Sequence, residues 1–539
     1  MTEALLRLPL LALGPAPDVG AILLATLPEL MLTAGLLLVL LLDCFLGPRP
    51  KLYPRLAFAV VLLTLLPVVS GLFVPAQGQD PVADPGFAER VLAPIGTALG
   101  QGDRVVGPLV VDDMARLFRI LFLAAAAYTL LFGMRRGEEW FSQSEFHVLL
   151  LGALAGMSLL SISADLLTAY LAFETVSYTG YLMVGYRKQD RASSEAGVKY
   201  VIFGAASSGA LLFGITLLFG LAGSTSMEAV ARVLHETGPS PAAVAGAVLV
   251  FAGIAFKISA APFHFWAPDA YSGAPTAVAG FLAVASKAAG FAVAVRILGT
   301  WCGTADPVPP ETAFGFLPPG PLPFWLAGAG AVATMIVGNT AALRQSELKR
   351  LLAWSSVAHA GYLLMALATG RGEAYGAVLF YFWVYMLMTL GGFGIVGLLR
   401  GPLGGTEVRH YRGLGRRNPT LAVCLVILLV SLTGLPPTAG FWGKVLLFKP
   451  VIEGGYYGLA IVGLLASAVS LYYYALLMRA MYLEAPEAGS DGPVELGTPD
   501  WVLVGVSTVP LLVGGLFGWW PAAAGFLNAA KEWAGTALR

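Results

Sequence analysis

Among the ionisable side chains that lie within long apolar segments of this sequence, five are the first candidates for chemistry, because a charge there needs a chemical reason. They are Glu174, Lys199, Lys257, Lys287 and Lys444. A charge at the centre of a lone membrane helix costs about 2.5 to 3.5 kcal/mol on insertion scales. Burial in a dry helix bundle disfavours the charged form of a lysine, and a nearby carboxylate favours it again. Several such lysines with one glutamate can exchange protons in turn, which is the chemistry of a proton relay and needs no nucleophile or metal.

Each of these charges also has a plainer explanation. A lysine near a helix end can extend its ammonium to the membrane surface, and Lys199 is the residue that this alternative fits best because it opens its segment. Glu174 is too short to reach far, so its alternative is a structural ion pair between two helices. That alternative is compatible with a relay, because paired charges in a bundle can also pass protons.

Two histidines are candidate relay groups. His264 follows Pro262, and His359 lies inside an apolar segment. A neutral histidine changes charge near physiological pH and can pass a proton between its two ring nitrogens. A histidine that only packs between helices and bonds a carbonyl is an equally good interpretation of either position.

Prolines interrupt two of the apolar segments close to these lysines. Pro262 lies five residues after Lys257, and Pro436 and Pro437 lie shortly before Lys444. Proline removes a backbone donor and clashes with the preceding turn, so both helices are predicted to break. Broken backbone at membrane depth is tolerated where it is buried in protein or lines a wet cavity, and paired breaks are typical of a transporter with an internal repeat. Two unrelated kinks are the alternative.

The elements that must position these groups are membrane-spanning helices. A bilayer core about 30 Å thick needs about 20 apolar residues per helix. Reading with that window predicts about fourteen segments, at 20–43, 55–75, 109–134, 145–162, 165–186, 196–222, 243–262, 276–300, 323–343, 351–369, 374–399, 419–449, 455–482 and 501–520. The third segment begins with Asp112 and Asp113, with which Arg116 and Arg119 are expected to pair unless they extend to the membrane surface.

Composition excludes several classes of function. The chain has 539 residues, of which 57% are apolar and 12% charged, and its mean hydropathy is +0.77; a soluble chain is about 25% charged. The 32 basic and 32 acidic residues cancel, so no binding of nucleic acid is expected. The three cysteines, Cys44, Cys302 and Cys424, stand apart from any metal-ligand spacing, so no metal or redox centre is expected in this chain.

Lysine and arginine also predict an orientation, since cytoplasmic loops retain positive charge. Seventeen of the 32 basic residues fall in one set of alternate loops and eight in the other set together with both termini. Both termini are therefore expected to face the periplasm of a bacterial inner membrane.

Several of these stretches resemble the family of proton-pumping, antiporter-like proteins that includes complex I subunits L, M and N and the Mrp-type sodium/proton antiporter subunits. The matching stretches are Phe256 to Tyr271, Gly273 to Thr276, Ala285 to Lys287, Leu348 to His359 and Leu432 to Lys444. The similarity covers roughly residues 110–480. A lysine rather than a glutamate at position 444, and a chain that ends soon after its fourteenth segment without a long lateral helix, favour the N-type branch of the family.

The resemblance implies an all-α membrane fold with two inverted five-helix repeats and broken helices 7 and 12. Its expected divisions are 1–144 with helices 1–3, 145–300 with helices 4–8, 301–484 with helices 9–13, and 485–539 with a cytoplasmic loop and helix 14. It also implies that Glu174 and Lys257 form a coupling pair, that Lys287 is central, and that Lys444 faces the outlet. Lys199 matches a further lysine of the N-type members.

The resemblance also implies the partners of the chain. NADH, FMN, iron–sulfur clusters and quinone would be bound by other subunits, and this chain would lie in lipid between a K/J-type and an M-type membrane subunit. Two alternatives stay open at this point: a Mrp-type cation/proton antiporter subunit, and a structural membrane subunit that conducts no ions.

Overall fold

A computed structural model describes residues 19–72, 102–136, 139–238, 240–303, 321–486 and 492–517, together with 74, 93 and 97. The amino-terminal part forms α1 Val19–Ala25, α2 Leu27–Leu46, α3 Leu52–Gly71, β1 Arg104–Val106, β2 Leu109–Val111, α4 Asp113–Arg136 and α5 Glu139–Ser142. The middle part of the chain carries Glu174, Lys257 and Lys287, and we call its helices the first group of site helices. They are α6 Ser144–Ile162, α7 Leu166–Val184, α8 Arg191–Ala222, α9 Met227–Thr237, α10 Pro241–Lys257, α11 Trp266–Gly273, α12 Thr276–Phe281 and α13 Lys287–Cys302.

The later part of the chain carries His359 and Lys444, and we call its helices the second group of site helices. It comprises α14 Leu322–Ala342, α15 Leu348–Leu367, α16 Gly372–Leu403, α17 Leu414–Arg417, α18 Pro419–Thr433, α19 Ala439–Glu453, α20 Tyr457–Leu483 and α21 Thr498–Phe517. The prediction of a helical membrane protein is confirmed. Among the described residues, ten helices are long and apolar enough to cross a membrane.

Helical residues occur in each of the fourteen predicted segments, but four segments lack a helix that is long and apolar enough to count among those ten. They are the fifth, seventh, tenth and twelfth segments, which carry Glu174, Lys257, His359 and Lys444. Polar side chains lower the mean hydropathy of a helix and a break shortens it, so such helices do not meet both conditions. The count of fourteen crossings therefore stays a prediction.

Two predicted helix boundaries are wrong. The third helix begins at Asp113 and not at 109, because residues 109–111 form β2 and pair antiparallel with β1. The seventh helix ends at Lys257 and not at 262, because the chain turns before the proline: Ser259 adopts a left-handed φ of 59°. A residue in that conformation cannot continue a right-handed helix.

Both predicted breaks leave the chain non-helical for several residues. Between α10 and α11 the residues 258–265 form turns, and between α18 and α19 the residues 434–438 do so. In addition, Leu282–Ser286 forms a π-helical turn that joins α12 to α13 and places Lys287 directly after it. Such turns often mark functional positions within helices.

Helix α13 lies at the centre of the molecule, and residues 276–299 are all buried. By contrast α2 presents a row of exposed leucines and only about a fifth of its apolar span is buried. The large exposed apolar side chains of outer helices suit contact with lipid, since no water must be excluded there.

The ends of the helices define two faces of the molecule. The hairpin face carries β1, β2 and the bridges of Leu109 with Ser163 and of Asp165 with Ser226. The cavity face lies at the other end of α7, and contains a polar cavity of about 420 Å³. The two faces are about 28 Å apart, since α7 has 19 residues that each rise 1.5 Å.

Candidate proton relay

Lys257 is fully buried at the last residue of α10. Its Nζ donates to Ser177 Oγ on α7 at 3.1 Å and lies 5.0 Å from the centre of the Phe173 ring. Glu174 lies one turn before Ser177 on the same helix. The carboxylate of Glu174 accepts a hydrogen bond from Ser208 and makes no salt bridge with Lys257 within 4 Å in the described structure. The two charges expected to form a coupling pair thus bind different hydroxyls, Ser208 for the glutamate and Ser177 for the lysine.

Lys287 is buried in the middle of the molecule, where α13 packs against α15. Its Nζ donates to the backbone oxygen of Ser356 at 2.7 Å and also to the Ser356 hydroxyl. The centre of the Tyr271 ring lies 5.9 Å from the same nitrogen. Gly290, one turn along α13, packs against the side chain of Lys257, so the two lysine helices are in direct contact.

His359 lies one turn after Ser356 on α15 and is also buried. Its Nδ1 and the Tyr381 hydroxyl form a hydrogen bond of 2.6 Å, and the centre of the Tyr385 ring lies 5.2 Å from the centre of the imidazole. One further turn along α15 is Tyr362. Helix α15 therefore presents Ser356, His359 and Tyr362 at successive turns, spanning about 9 Å of helix.

Lys444 lies at the far end of this row, on α19. Its Nζ donates to the carbonyl of Thr433 at 2.7 Å and to Ser467 Oγ at 2.9 Å, and it stands 4.5 Å from the centre of the Tyr362 ring. Thr433 is the last residue of α18, so the ammonium binds an unpaired carbonyl at the end of the broken helix. We call Lys257, Lys287, Ser356, His359, Tyr362 and Lys444 the buried row.

Several buried hydroxyls near the buried row form no hydrogen bond within the part of the chain that the structure describes. Buried polar groups are normally satisfied by protein or by water, so these atoms are suitable partners for internal waters that could pass protons. They belong to Tyr200, Ser259, Tyr271, Ser286, Tyr385 and Thr389.

Besides Glu174, two predicted site residues lie outside the buried row. Lys199 is 42% exposed in the polar cavity, where its Nζ binds Asp269 at 3.0 Å and Glu195 at 2.9 Å. Its ammonium therefore reaches the helix ends, as the alternative explanation of this residue expected. His264 packs on Phe265 and Trp354, and its Nδ1 has no hydrogen-bond partner among the described residues.

The polar cavity opens at the cavity face, next to Lys199. Its lining includes Arg187, Lys199, Asp269, Glu347, Lys349 and Arg350. Asp269 lies in α11, whose Trp266 donates from its indole nitrogen to the backbone oxygen of Phe256, next to Lys257. The cavity and Lys257 are thus connected through a single short helix.

The sequence did not reveal the hydroxyl partners Ser177, Ser356 and Ser467, or the polar residues Asp269 and Tyr362. Serines in apolar helices are common, and only their distance from the lysines distinguishes them. The i, i+3 spacing of Ser356 and Tyr362 from His359 was the available signal. The expected pairing of Arg119 with Asp112 or Asp113 is wrong: Arg119 binds Glu29 of α2 at 2.6 Å. The expected pairing of Arg116 with Asp113 is observed.

The structure was also searched for side chains that could bind a metal ion. Within the described residues no group of three or more histidine, cysteine, aspartate or glutamate side chains is placed to hold a metal ion.

Comparison with known proteins gives consistent relatives. The family model described as NADH:quinone oxidoreductase/Mrp antiporter, TM, matches residues 163–305 and 324–470. A protein of Anaeromyxobacter sp. named NADH-quinone oxidoreductase subunit N is 40% identical over 446 residues, covering 79% of this chain and 85% of the relative. A chain of respiratory complex I from Thermus thermophilus has a TM-score of 0.71 at 30% identity, covering 91% of this chain and 97% of that one.

The Mrp complex from Dietzia sp. contains a chain of the same fold, with a TM-score of 0.76 at 20% identity over 96% of this chain and 98% of that one. The family model covers more than half of the sequence. The relative from Anaeromyxobacter is 40% identical over most of both chains, which is close enough for the two proteins to share a family. The chain therefore belongs to the transmembrane family of NADH:quinone oxidoreductase and Mrp antiporter subunits.

Proposed function

We propose that this chain is an N-type membrane subunit of an NADH:quinone oxidoreductase that moves protons from the cytoplasm to the periplasm. The observation that carries this proposal is the buried row: Ser356, His359 and Tyr362 follow one another on one helix, with Lys287 bonded to Ser356 and Lys444 beside the Tyr362 ring. Lys257 completes the row, because its side chain packs against Gly290 of the Lys287 helix. Relatives that are named as subunits of this enzyme support membership of the complex.

The protein in the membrane has fourteen crossings and two inverted five-helix repeats at 145–300 and 301–484, with both termini in the periplasm of a bacterial inner membrane. The excess of basic residues in one set of loops supports this orientation. It makes the cavity face cytoplasmic and the hairpin face periplasmic. The two breaks, each next to a buried lysine, support the repeat.

Proton transfer begins at the polar cavity and reaches Lys257. Glu174 favours the protonated form of Lys257 through its charge, and a movement of charge at Glu174 lets the proton pass to Lys287. Lys287 hands it through Ser356, His359 and Tyr362 to Lys444, because two cations in neighbouring buried positions repel one another. Lys444 then releases it toward the hairpin face. Lys199 and His264 serve the entrance by holding charge and polarity there.

Energy for this transfer comes from quinone reduction in other subunits. NADH, FMN, iron–sulfur clusters and quinone are bound there, and the translocase role of this chain requires only protons. Its neighbours in the membrane are a K/J-type subunit on one side and an M-type subunit on the other. The complex is therefore hetero-oligomeric and embedded in lipid.

The test is the replacement of Lys257 by alanine in the whole enzyme reconstituted into vesicles. We expect the complex to assemble and the number of protons pumped per electron to fall, measured from the acidification of the vesicles and the oxidation of NADH. Lys257→Arg separates charge from exchange, since a guanidinium keeps its proton; we expect it to fail as well.

Exposed Lys188 on the cavity face offers a matched control, and Lys188→Ala should pump normally. Unchanged proton-to-electron stoichiometry in Lys257→Ala would contradict the proposal and favour a structural subunit. Transport that depends on sodium would instead favour the Mrp-type function that the shared fold allows.

A further inference from the structure

Arg296 joins four elements at the hairpin face below the first group of site helices. It lies on α13 and is only 4% exposed. Its guanidinium binds both carboxylate oxygens of Asp112, at 2.9 and 3.0 Å, and it donates to the backbone oxygens of Ser161 at 2.6 Å and Val110 at 3.4 Å. Asp112 in turn accepts a hydrogen bond from the backbone nitrogen of Ala115 at the start of α4.

The segment between Lys287 and this ion pair is apolar and buried. Residues 288–295 read Ala-Ala-Gly-Phe-Ala-Val-Ala-Val, and all of them are buried. Arg296 lies nine positions after Lys287, which is about 13 Å along the helix. Beyond the pair, the apolar side chains of Val106, Leu109, Val111 and Ile162 form a separate small core under the β-hairpin.

The second group of site helices has a different arrangement at the same face. Lys449 lies five residues after Lys444 on α19 and binds Glu373 at 2.9 Å, with 41% and 22% of the two side chains exposed. Arg371 and Glu453 lie 3.8 Å apart beside them and are partly exposed as well. This cluster is open to solvent, whereas the pair of Arg296 and Asp112 is closed.

We propose that the Arg296–Asp112 ion pair is a proton seal, which keeps water at the hairpin face from reaching Lys287. This inference rests on the proposed function, because a relay that fills from the cavity face gains nothing if Lys287 can exchange protons directly with the opposite side. A bidentate arginine pair whose Nε and Nη2 also bind carbonyls occupies most of the polar groups that a water chain would need. An unpaired charge at this depth recruits water instead.

The decisive variant is Asp112→Asn in the whole enzyme in vesicles. Asparagine keeps the helix cap at α4 but leaves Arg296 without its counter-charge. We expect the rate of NADH oxidation to be retained, the steady-state pH gradient to be lost, and an imposed pH gradient to collapse faster than in the wild type. Adding Lys287→Met to the same chain should restore the gradient barrier, because the leak then lacks its proton acceptor.

Two further variants separate a seal from a structural clamp. Asp112→Asn with Arg296→Met removes both charges and replaces the guanidinium by an apolar chain, so it should hold the imposed gradient like the wild type. Glu29→Gln leaves the equally buried Arg119 without its counter-charge at the same face, on α4 and not on the helix of Lys287, and should not leak. If Asp112→Asn fails to assemble, Arg296→Lys, which cannot hold all four bonds, should show the leak.

A wild-type gradient in assembled Asp112→Asn or Arg296→Lys would overturn the seal, and so would a leak of equal size in Glu29→Gln. Neither result touches the proposed function, which fails only if substitution at Lys257 leaves pumping intact. A leak that persists when Lys287 is replaced would also contradict the seal, since the protons would then follow another route.

Discussion

Lys257 and Lys444 both lie beside a broken helix, but on opposite sides of the break. Lys257 ends the helix before its break, and its ammonium meets one hydroxyl and, at longer range, the carboxylate of Glu174. Lys444 lies after its break and binds a backbone carbonyl and a hydroxyl. In the described structure no carboxylate lies within salt-bridge distance of Lys444.

Under the proposed function, this difference would control the two lysines in different ways. A carboxylate can change its own charge or position, so the proton affinity of Lys257 can be altered from outside the row. A carbonyl at a helix end is a fixed dipole, so Lys444 keeps one environment and responds mainly to the arrival of charge through His359. Lys257 is therefore suited to regulation and Lys444 to passive release.

The largest effect is expected from Glu174→Gln, which removes the charge and little volume. A loss of about 1 to 2 kcal/mol of attraction between partly buried charges changes the proton-binding equilibrium of Lys257 by roughly tenfold. We expect proton pumping per electron to fall severalfold while the complex still assembles. Vesicle acidification measured against NADH oxidation checks this.

Glu228→Gln is the matched control, because Glu228 is 81% exposed at the hairpin face and pairs only with Arg232 in the described structure. Its pumping should equal that of the wild type. Equal losses in the two variants would mean that Glu174 has no special relation to Lys257, and the contrast between the two lysines would then be wrong.

A smaller effect is expected from His359→Phe, which removes the imidazole nitrogens but keeps an aromatic ring. Lys287 and Lys444 would then be separated by a side chain that cannot carry a proton. We expect transfer to slow by about threefold, equivalent to about 0.7 kcal/mol in the barrier, with internal water carrying the remainder.

Tyr381→Phe tests the same step more gently, since it removes only the hydroxyl that bonds His359. The lost hydrogen bond contributes about 1 kcal/mol, and the imidazole itself remains. We therefore expect Tyr381→Phe to slow pumping less than His359→Phe does. The measurement is the rate of vesicle acidification at equal rates of NADH oxidation. If this rate is the same in both variants and in the wild type, protons bypass His359.

The charged members of the site could be located from the sequence because a charge in an apolar segment is rare. Lys257, Lys287 and Lys444 needed a reason, and prolines close to two of them predicted the broken helices. The same signal could not assign Lys199 to a place, because a lysine at a helix end is charged for ordinary reasons. Its position in the polar cavity became clear only from the contacts with Asp269 and Glu195.

Helix positions were predicted better than helix limits. The segment that begins at 109 contains the apolar strand Leu109–Val111, which periodicity over three residues cannot distinguish from the start of a helix. The segment to 262 ends early because Ser259 turns the chain. The pairing of Arg119 with Glu29 joins residues 90 positions apart, and nothing local in the sequence indicates it.

The smallest effect should distinguish the two lysines most finely, through Ser177→Ala and Ser467→Ala. Each change removes one hydroxyl that accepts a hydrogen bond from a lysine, which is worth about 1.5 to 3 kcal/mol when one partner is charged. Lys444 keeps the carbonyl of Thr433, whereas Ser177 is the hydrogen-bond acceptor that the structure gives Lys257. Because water can take the place of a removed hydroxyl, we expect Ser177→Ala to lower pumping by about a third and Ser467→Ala by less. The two variants, compared in the same vesicles at equal rates of NADH oxidation, would contradict the contrast if Ser467→Ala were the more damaging, because the fixed carbonyl would then not be what holds Lys444.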